Sequence, residues 1–500
     1  MKRPLIPRSF AGRGEEHGVT IVLVALAMVA IIAMAALSID VITLYLAREE
    51  AQHSADTAAL AAARILSISG VTGDPANSQG SLSAAPWPTV CAQASQVATA
   101  VANQNTIGST MPNTVTVTFV YNGATVDCGS AGGNASFTIN PQVQVQVVRQ
   151  SLPNFFSRLW GNSGTTISAT ATAEAFNPSN SGSVGSSGTI VPVQPRCVKP
   201  WAVPNQDPMY PARSGGNFCN QGAVPGVCRP LVNLNDGSIN HPGISTLGTG
   251  ADGVIGETFW LVPDCRHTGG NCTLRTTGPP QANYANVTNP YIQQPPNLLY
   301  VPAQVGTTTV SAVPSCSTGN DFNEAVVGCD QPTNYACGVP SNPNSVVDLT
   351  LNPDYPTANA AACLINQTDT STLDEPTGQD TLSDFEAPTA YPFQILSGTS
   401  NPLVVSSTPA LPPGSPVTSS RSVVSLPIYD NTTATISSNT RRNVTYVGFL
   451  QVFINAFDEN GNMNVTVLNV AGCSNGSGVN VSPSPVFGTS PVPVRLITPP

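Results

Sequence analysis

The sequence predicts an α+β protein: an N-terminal transmembrane and stalk helix with a small α+β module, followed by a β-rich, disulfide-containing exported region. Three observations predict it. Val19 to Ile39 reads VTIVLVALAMVAIIAMAALSI, without a charge. Asp40 to Ile68 continues without Gly or Pro, rich in Ala, Leu, Glu and Arg. Beyond residue 110 the chain breaks into short apolar runs punctuated by Gly, Pro and Asn, and most of its 12 cysteines lie there.

The chain has 500 residues, of which only 9% are charged, against about 25% in an average protein. Its 18 basic residues and formal net charge of -10 argue against a nucleic-acid partner, because phosphate contacts need clustered Lys and Arg. Gly 42 and Pro 46 stay below the composition of low-complexity disorder, so the chain can fold. With so few charges, its polar surface has to come from Ser, Thr, Asn and Gln, which suit strands and turns better than helices.

At 1.5 Å per residue the charge-free run spans about 30 Å, the thickness of a bilayer's hydrocarbon core. Lys2, Arg3, Arg8 and Arg13 precede it, and Arg48 is the first basic residue after it. The positive-inside bias then keeps residues 1–17 in the cytoplasm, makes residues 18–40 the transmembrane helix, and puts the bulk of the chain in the periplasm of a single-pass inner-membrane protein. A cleaved signal peptide is the rival reading, with Ala33-Met34-Ala35 as a small-residue site. Against it, the apolar run exceeds the roughly 7–15 residues of a signal core and passes into a helix without a turn. A pilin-like leader cut after Gly18 is disfavoured because Leu23 stands where such leaders carry Glu.

High helix propensity makes residues 40–68 a stalk continuing the membrane helix. Leu44, Ala51, Ala55, Ala58, Ala59 and Ala62 form a small-residue face suited to close helix packing, on the chain's own following domain in preference to a partner helix, while Arg48, Glu49, Glu50 and Asp56 are candidates to face solvent. A second helix is expected over Cys91–Gln104, and strands over Thr114–Tyr121, Ser136–Ile139, Gln142–Val148 and Ile167–Phe176. Helices followed by a run of strands indicate an α+β module with an antiparallel sheet, here residues 41–177. Cys91 and Cys128 are the module's cysteines, and a bridge between them would staple the helix to the strands.

These residues resemble a known family. Gly18 to Val41 followed by LYLAREEAQHSADTAALAAA is similar to the N-terminal module of TadE/TadG-like proteins, part of the machinery that builds Flp pili for tight adherence. The motif is an apolar helix ending in Asp40, then Tyr45, then Gln52, Ala55 and Asp56, with Thr57 where Ala is usual. Pro153-Asn-Phe155-Phe156 leading to Trp160-Gly161, and the Ala-rich run 165–175, extend the likeness. Looser likenesses to the longer TadG-related proteins lie at Arg196–Asn205, Phe322–Cys329 and Tyr446–Ile454. The resemblance implies a structural role in the cell envelope, with other pilus-assembly proteins and the lipid bilayer as partners. Some TadG-like proteins add a von Willebrand A-type metal domain; its Asp-x-Ser-x-Ser start is approached only by Asp369-Thr370-Ser371-Thr372-Leu373, which lacks the last Ser.

Residues 178–195 are Ser/Gly-rich and read as a flexible linker. Residues 196–400 hold Cys197, Cys219, Cys228, Cys265, Cys272, Cys316, Cys329, Cys337 and Cys363 among dense Pro, Gly and Asn, and read as an irregular β-rich domain. None of the 12 cysteines forms a Cys-x-x-Cys pair, and the four His are scattered. Disulfides in an oxidising compartment are therefore preferred over zinc, with the connectivity open and the odd cysteine of this region free to reach Cys473. In residues 401–500, strands are expected over Ser422–Asp430, Val444–Phe457, Met463–Val470 and Val492–Ile497, with a hairpin turn at 458–462.

Catalytic groups do not stand out. There is no nucleophile elbow, phosphate loop or zinc helix, and His241 and His267 sit among turn residues. Asp369, Asp374, Glu375, Asp380, Asp384 and Glu386 could gather a hard cation but read better as an acidic loop. No cofactor and no enzymatic activity are expected. The leading reading is a membrane-anchored assembly component of a Flp-type pilus. The alternative is an anchored adhesin or carbohydrate- or matrix-binding protein that presents Trp201, Trp260 and several Tyr.

Overall fold

The computed structural model describes residues 16–68, 87–121, 123–128, 137, 140–153, 156, 161, 164–175, 189–190, 193–195, 197–208, 229–234, 237, 239–240, 254–268, 271–274, 297–305, 316, 321–328, 335, 345–350, 355–370, 377–383, 394–406, 410–417, 420–432, 436–437, 440–458, 461–473, 480–481, 486–488, 492 and 494–497. The chain divides into two compact units, Met1–Ala55 with Val101–Thr116 and Gln146–Thr170, and Asp56–Ala100 with Val117–Val145 and Ala171–Pro500.

Helix α1 (Glu16–Ile68) runs uninterrupted for 53 residues, about 80 Å at 1.5 Å per residue. Nothing in its sequence stops it, because the Val19–Ile68 stretch holds no Gly or Pro. Its stalk part buries one stripe. Ala47, Ala51, Ser54 and Ala55 are buried in the first unit, and Ala58, Ala59, Ala62, Ala63 and Leu66 in the second. These positions recur at helical spacing, so the small-residue face packs on the chain's own domain as expected; Leu44 is half-buried. Helix α2 (Trp87–Gln104) begins four residues before the expected Cys91. Its buried stripe is Trp87, Val90, Cys91, Ala94, Ala98 and Ala102.

Strands β1 (Thr114–Tyr121), β2 (Ala124–Val126), β3 (Gln142–Leu152) and β4 (Thr165–Ala175) follow. They lie in a sheet of order β2-β1-β3-β4-β22, whose last member is the C-terminal strand β22 (Val494–Ile497). Alternation along β3 sends Val143, Val145 and Val147 into the core. On its other face Gln142 and Gln144 bond across to Glu174 and Thr172 of β4. β22 pairs antiparallel with β4 and sets Arg495 against the buried Glu174 carboxylate. The strand expected over Ser136–Ile139 is not formed at its one described residue. Phe137 is helical and fully buried, wedged between the Trp87 and Phe119 rings at 5.7 and 6.2 Å; aromatic packing outweighs the local β propensity.

Residues 189–195 depart from the flexible linker expected over 178–195. β5 (Thr189–Ile190) and β6 (Val193–Pro195) pair in parallel with β20 (Asn480–Val481) and β21 (Val486–Gly488) of the C-terminal tail. Composition carried no sign of this, because the partner lies almost 300 positions away. Residues 178–188 lie outside the described set.

The second unit holds β12 (Ser345–Asp348) paired with β17 (Arg441–Val444), and a three-stranded sheet of β13 (Thr381–Leu382), β14 (Ile395–Leu396) and β15 (Pro416–Val417). It centres on a closed six-stranded barrel. Three strands come from before residue 400: β7 (Trp201–Pro204), β8 (Thr258–Pro263) and β11 (Asn297–Pro302). Three come from after it: β16 (Val423–Tyr429), β18 (Tyr446–Phe457) and β19 (Met463–Gly472). β16, β18 and β19 pair antiparallel in succession, β7 joins β16 in parallel, and β8 joins β11 in parallel. Both faces of β18 are covered. Leu450, Val452, Ile454 and Phe457 belong to the main core, while Tyr446 and Phe449 pack in a second cluster and Phe453 in a third. This explains the long apolar run that the sequence shows there. Gly448 and Gly472 face each other in the ladder, and a Cβ on Gly472 would collide with the Gly237 carbonyl, so this close approach requires glycine. The expected turn at 458–462 is formed: Asp458 accepts the Asn462 N–H at 2.8 Å and the Asn462 amide at 2.6 Å, and Gly461 has φ 85°.

Short helices α3 (Asp321–Val327) and α4 (Tyr355–Leu364) pack on the core. Cys316 is bridged to Cys363 of α4, and Cys91 of α2 to Cys128, the pairing anticipated for the module. Cys197 and Cys473 are also disulfide-bonded. Among the described residues no cysteine is free. Cys219, Cys228, Cys329 and Cys337 lie outside the described set; in the hairpin of β9 (Cys265–Thr268) and β10 (Asn271–Leu274) Cys265 pairs with Leu274 and Cys272 with His267 in register.

Candidate functional site

The motif residues all lie on α1, and their surroundings differ. From Ile21 to Ile42 the large apolar side chains are exposed. A core helix would bury them; by length and composition, this helix is suited to crossing a membrane. Asp40 interrupts it. The side chain is only 4% exposed, and its two oxygens accept the Phe156 backbone N–H at 3.3 and 3.1 Å. Asp40, which ends the apolar run, and Phe156 of the second hallmark segment therefore meet at this bond.

Tyr45, one turn further, is 65% exposed. Gln52 donates to the Thr170 carbonyl of β4 at 3.4 Å, and Ala55 is fully buried. Asp56 is half-buried rather than fully solvated. Two neighbours outside the motif reinforce the attachment within the first unit. Glu50 accepts the Gly108 N–H at 2.7 Å, and the Ser54 hydroxyl donates to the Ala102 carbonyl of α2 at 3.2 Å. Gly108 has φ 57°, and a Cβ there would strike Leu152. Chemically the motif is a set of docking contacts, in which a carboxylate and an amide receive or supply backbone hydrogen bonds and alanines permit close approach.

The other candidates dissolve into structural roles where they are described. Asp380 accepts from the Gly398 N–H at 2.8 Å, the Asn401 amide at 2.8 Å and the Ser420 hydroxyl at 2.5 Å, and so ties the 398–401 turn to Ser420. Asp374, Glu375, Asp384, Glu386 and His241 lie outside the described residues. Among the described residues no three His, Cys, Asp or Glu side chains gather into a metal-binding group. Trp201, offered as a surface for ligands, is fully buried against Tyr300 and Phe457 at centroid distances of 6.3 and 6.2 Å, because β7 turns it into the barrel. Trp260 is half-buried. A cleft of about 110 Å³ between Ile65, Val97, Gln394 and Val417 is smaller than the few hundred Å³ of a typical ligand site.

Sequence reasoning missed Lys199. It is 5% exposed and its Nζ donates to the Gly328 carbonyl, just beyond α3, at 2.6 Å. Burial, with a smaller contribution from Arg421, lowers its pKa to about 7. Its place inside the phrase Arg196–Asn205 was the available signal, but burial of a lysine is not readable from neighbours in sequence.

No curated protein and no solved structure matches the chain. Residues 18–64 match the model of the Flp pilus-assembly TadE/G-like family. The match covers the charge-free run and most of the stalk, and it contains all five motif positions. The segment of α1 that carries Asp40, Tyr45, Gln52, Ala55 and Asp56 is a TadE/G-like segment.

Proposed function

We infer that the chain is a membrane-anchored, non-catalytic structural component in the assembly of a Flp-type pilus. The observation that carries this is the TadE/G-like match over residues 18–64, on a helix whose large apolar side chains from Ile21 to Ile42 are exposed and whose stalk half buries a stripe of small residues. In this reading α1 holds the protein in the inner membrane, Lys2, Arg3, Arg8 and Arg13 keep the N-terminus cytoplasmic, and the disulfide-bonded barrel works outside the cytoplasm. Other pilus-assembly proteins are its partners.

The test is a chromosomal deletion with pili counted by electron microscopy. Loss of pili, restored by the full-length chain, supports the reading. Unchanged piliation and attachment in the deletion strain overturns it.

A further inference from the structure

We propose that part of the exported module is embedded in the bilayer leaflet beside α1, in contact with lipid hydrocarbon, and that Asp40 is the acceptor that permits it; this rests on reading α1 as a membrane span. The exposed apolar sleeve from Ile21 to Leu46 is about 39 Å long, whereas a hydrocarbon core of about 30 Å takes about 20 residues. Every 20-residue window that fits within the sleeve contains Ala33, Ala36 and Asp40, and even a window starting at Val19 contains Ala33 and Ala36. Wherever a span of about 20 residues falls within the sleeve, Ala33, Ala36 and Asp40 are at membrane depth.

At that depth one face of α1 is covered by protein. Ala36 and Asp40 are 5% and 4% exposed, while Leu37, Ile39, Val41 and Ile42 beside them are 46–59% exposed. The Phe156 N–H on the Asp40 carboxylate brings Phe156 to this level. Irregular backbone is tolerated inside a membrane only where its polar groups are satisfied by protein, and an intramembrane carboxylate needs a donor in the same way. The Asp40–Phe156 bond meets both needs. The aliphatic hydroxyls of the sleeve follow the same rule: Ser38 bonds back to the Met34 carbonyl at 3.0 Å, and Thr43 to the Asp40 carbonyl at 2.8 Å. Tyr45, exposed just before Arg48, Glu49 and Glu50, has the place of an interfacial aromatic. It sets the water boundary beyond Asp40.

The full-length chain, reconstituted in vesicles containing a phospholipid with a photoactivatable diazirine on its acyl chain, tests this. Adducts are mapped by peptide mass spectrometry. Adducts are expected both on α1 between residues 21 and 39 and on the peptide spanning 152–161. Adducts on α1 alone overturn the proposal and leave the membrane anchor standing. No adducts on α1 overturn the anchor itself, and the proposal with it. In Asp40→Leu the yield on the 152–161 peptide should fall about fivefold, the factor carried by one lost hydrogen bond, while Asp40→Asn, which keeps an acceptor, should stay near wild type. Equal yields in wild type and both variants would remove Asp40 from the account. The wild-type map stands as a test even where Asp40→Leu folds poorly.

Discussion

Lys199 provides the sharpest energetic test of the barrel. Its ammonium has a pKa of about 7 in the folded chain, chiefly through burial, against about 10.4 for an unfolded lysine. The folded pKa is depressed, so the unfolded state binds more protons between these values, and stability rises with pH across that window. Below pH 7 both states are charged and the cost of burying the charge is fully present. Between pH 7 and pH 9, linkage gives a gain of about 2 kcal/mol from this one group. The perturbation is Lys199→Met, which keeps the length of the stem and removes the titration. It also leaves the Gly328 carbonyl without its donor, a constant loss of about 1 kcal/mol. The assay is urea unfolding followed by tryptophan fluorescence, since Trp201 lies two residues away in the barrel core. Wild type minus variant should grow by about 2 kcal/mol from pH 7 to pH 9. Parallel pH profiles would refute the claim that the amine is buried and loses its proton in the folded state.

Further perturbations address other parts of the fold. Replacing Cys91 and Cys128 with Ser opens a loop of 37 residues; by loop entropy the module should lose about 2–4 kcal/mol, read as a lower thermal midpoint by circular dichroism. An unchanged midpoint would contradict a load on that bridge. Gly472→Ala places a methyl against the Gly237 carbonyl and should destabilise the barrel by about 1–3 kcal/mol, whereas a neutral outcome in urea unfolding would show that the 229–240 segment does not press on β19. Gln367→Leu removes the amide that accepts the Phe457 N–H at 2.8 Å and donates to its carbonyl at 2.9 Å. Proteolysis should then attack the end of β18 more readily, for a loss of about 2–4 kcal/mol; wild-type resistance would argue against this clasp.

Local signals in the chain carried the long helix, β1 and the strands around the 458–462 turn. Each is dictated by composition or by a periodicity contained within the segment: the absence of Gly and Pro through Ile68, the alternation of Val and Gln in β3, the Asp-Glu-Asn-Gly turn. The barrel was not legible in the same way. β7 has four residues, all buried, and it finds β11 and β16 some 100 and 220 positions later; period and propensity say nothing about such pairings. The return of β22 to β4 is of the same kind. At the site, the motif residues were identifiable in sequence, but their roles were not. Asp40 marks the end of the charge-free run, yet its bond to Phe156 joins positions 116 apart. Trp201 reads as an exposed aromatic in a polar region until β7 places it in the core.

The account depends most on α1 being the membrane anchor, with the barrel beyond it on the other side. Alkaline phosphatase and green fluorescent protein fused in turn to the C-terminus of the full-length chain test this directly. Phosphatase activity without fluorescence is predicted if, as proposed, the chain after α1 is exported. Fluorescence without phosphatase activity would place the disulfide-bonded barrel in the cytoplasm and contradict the account.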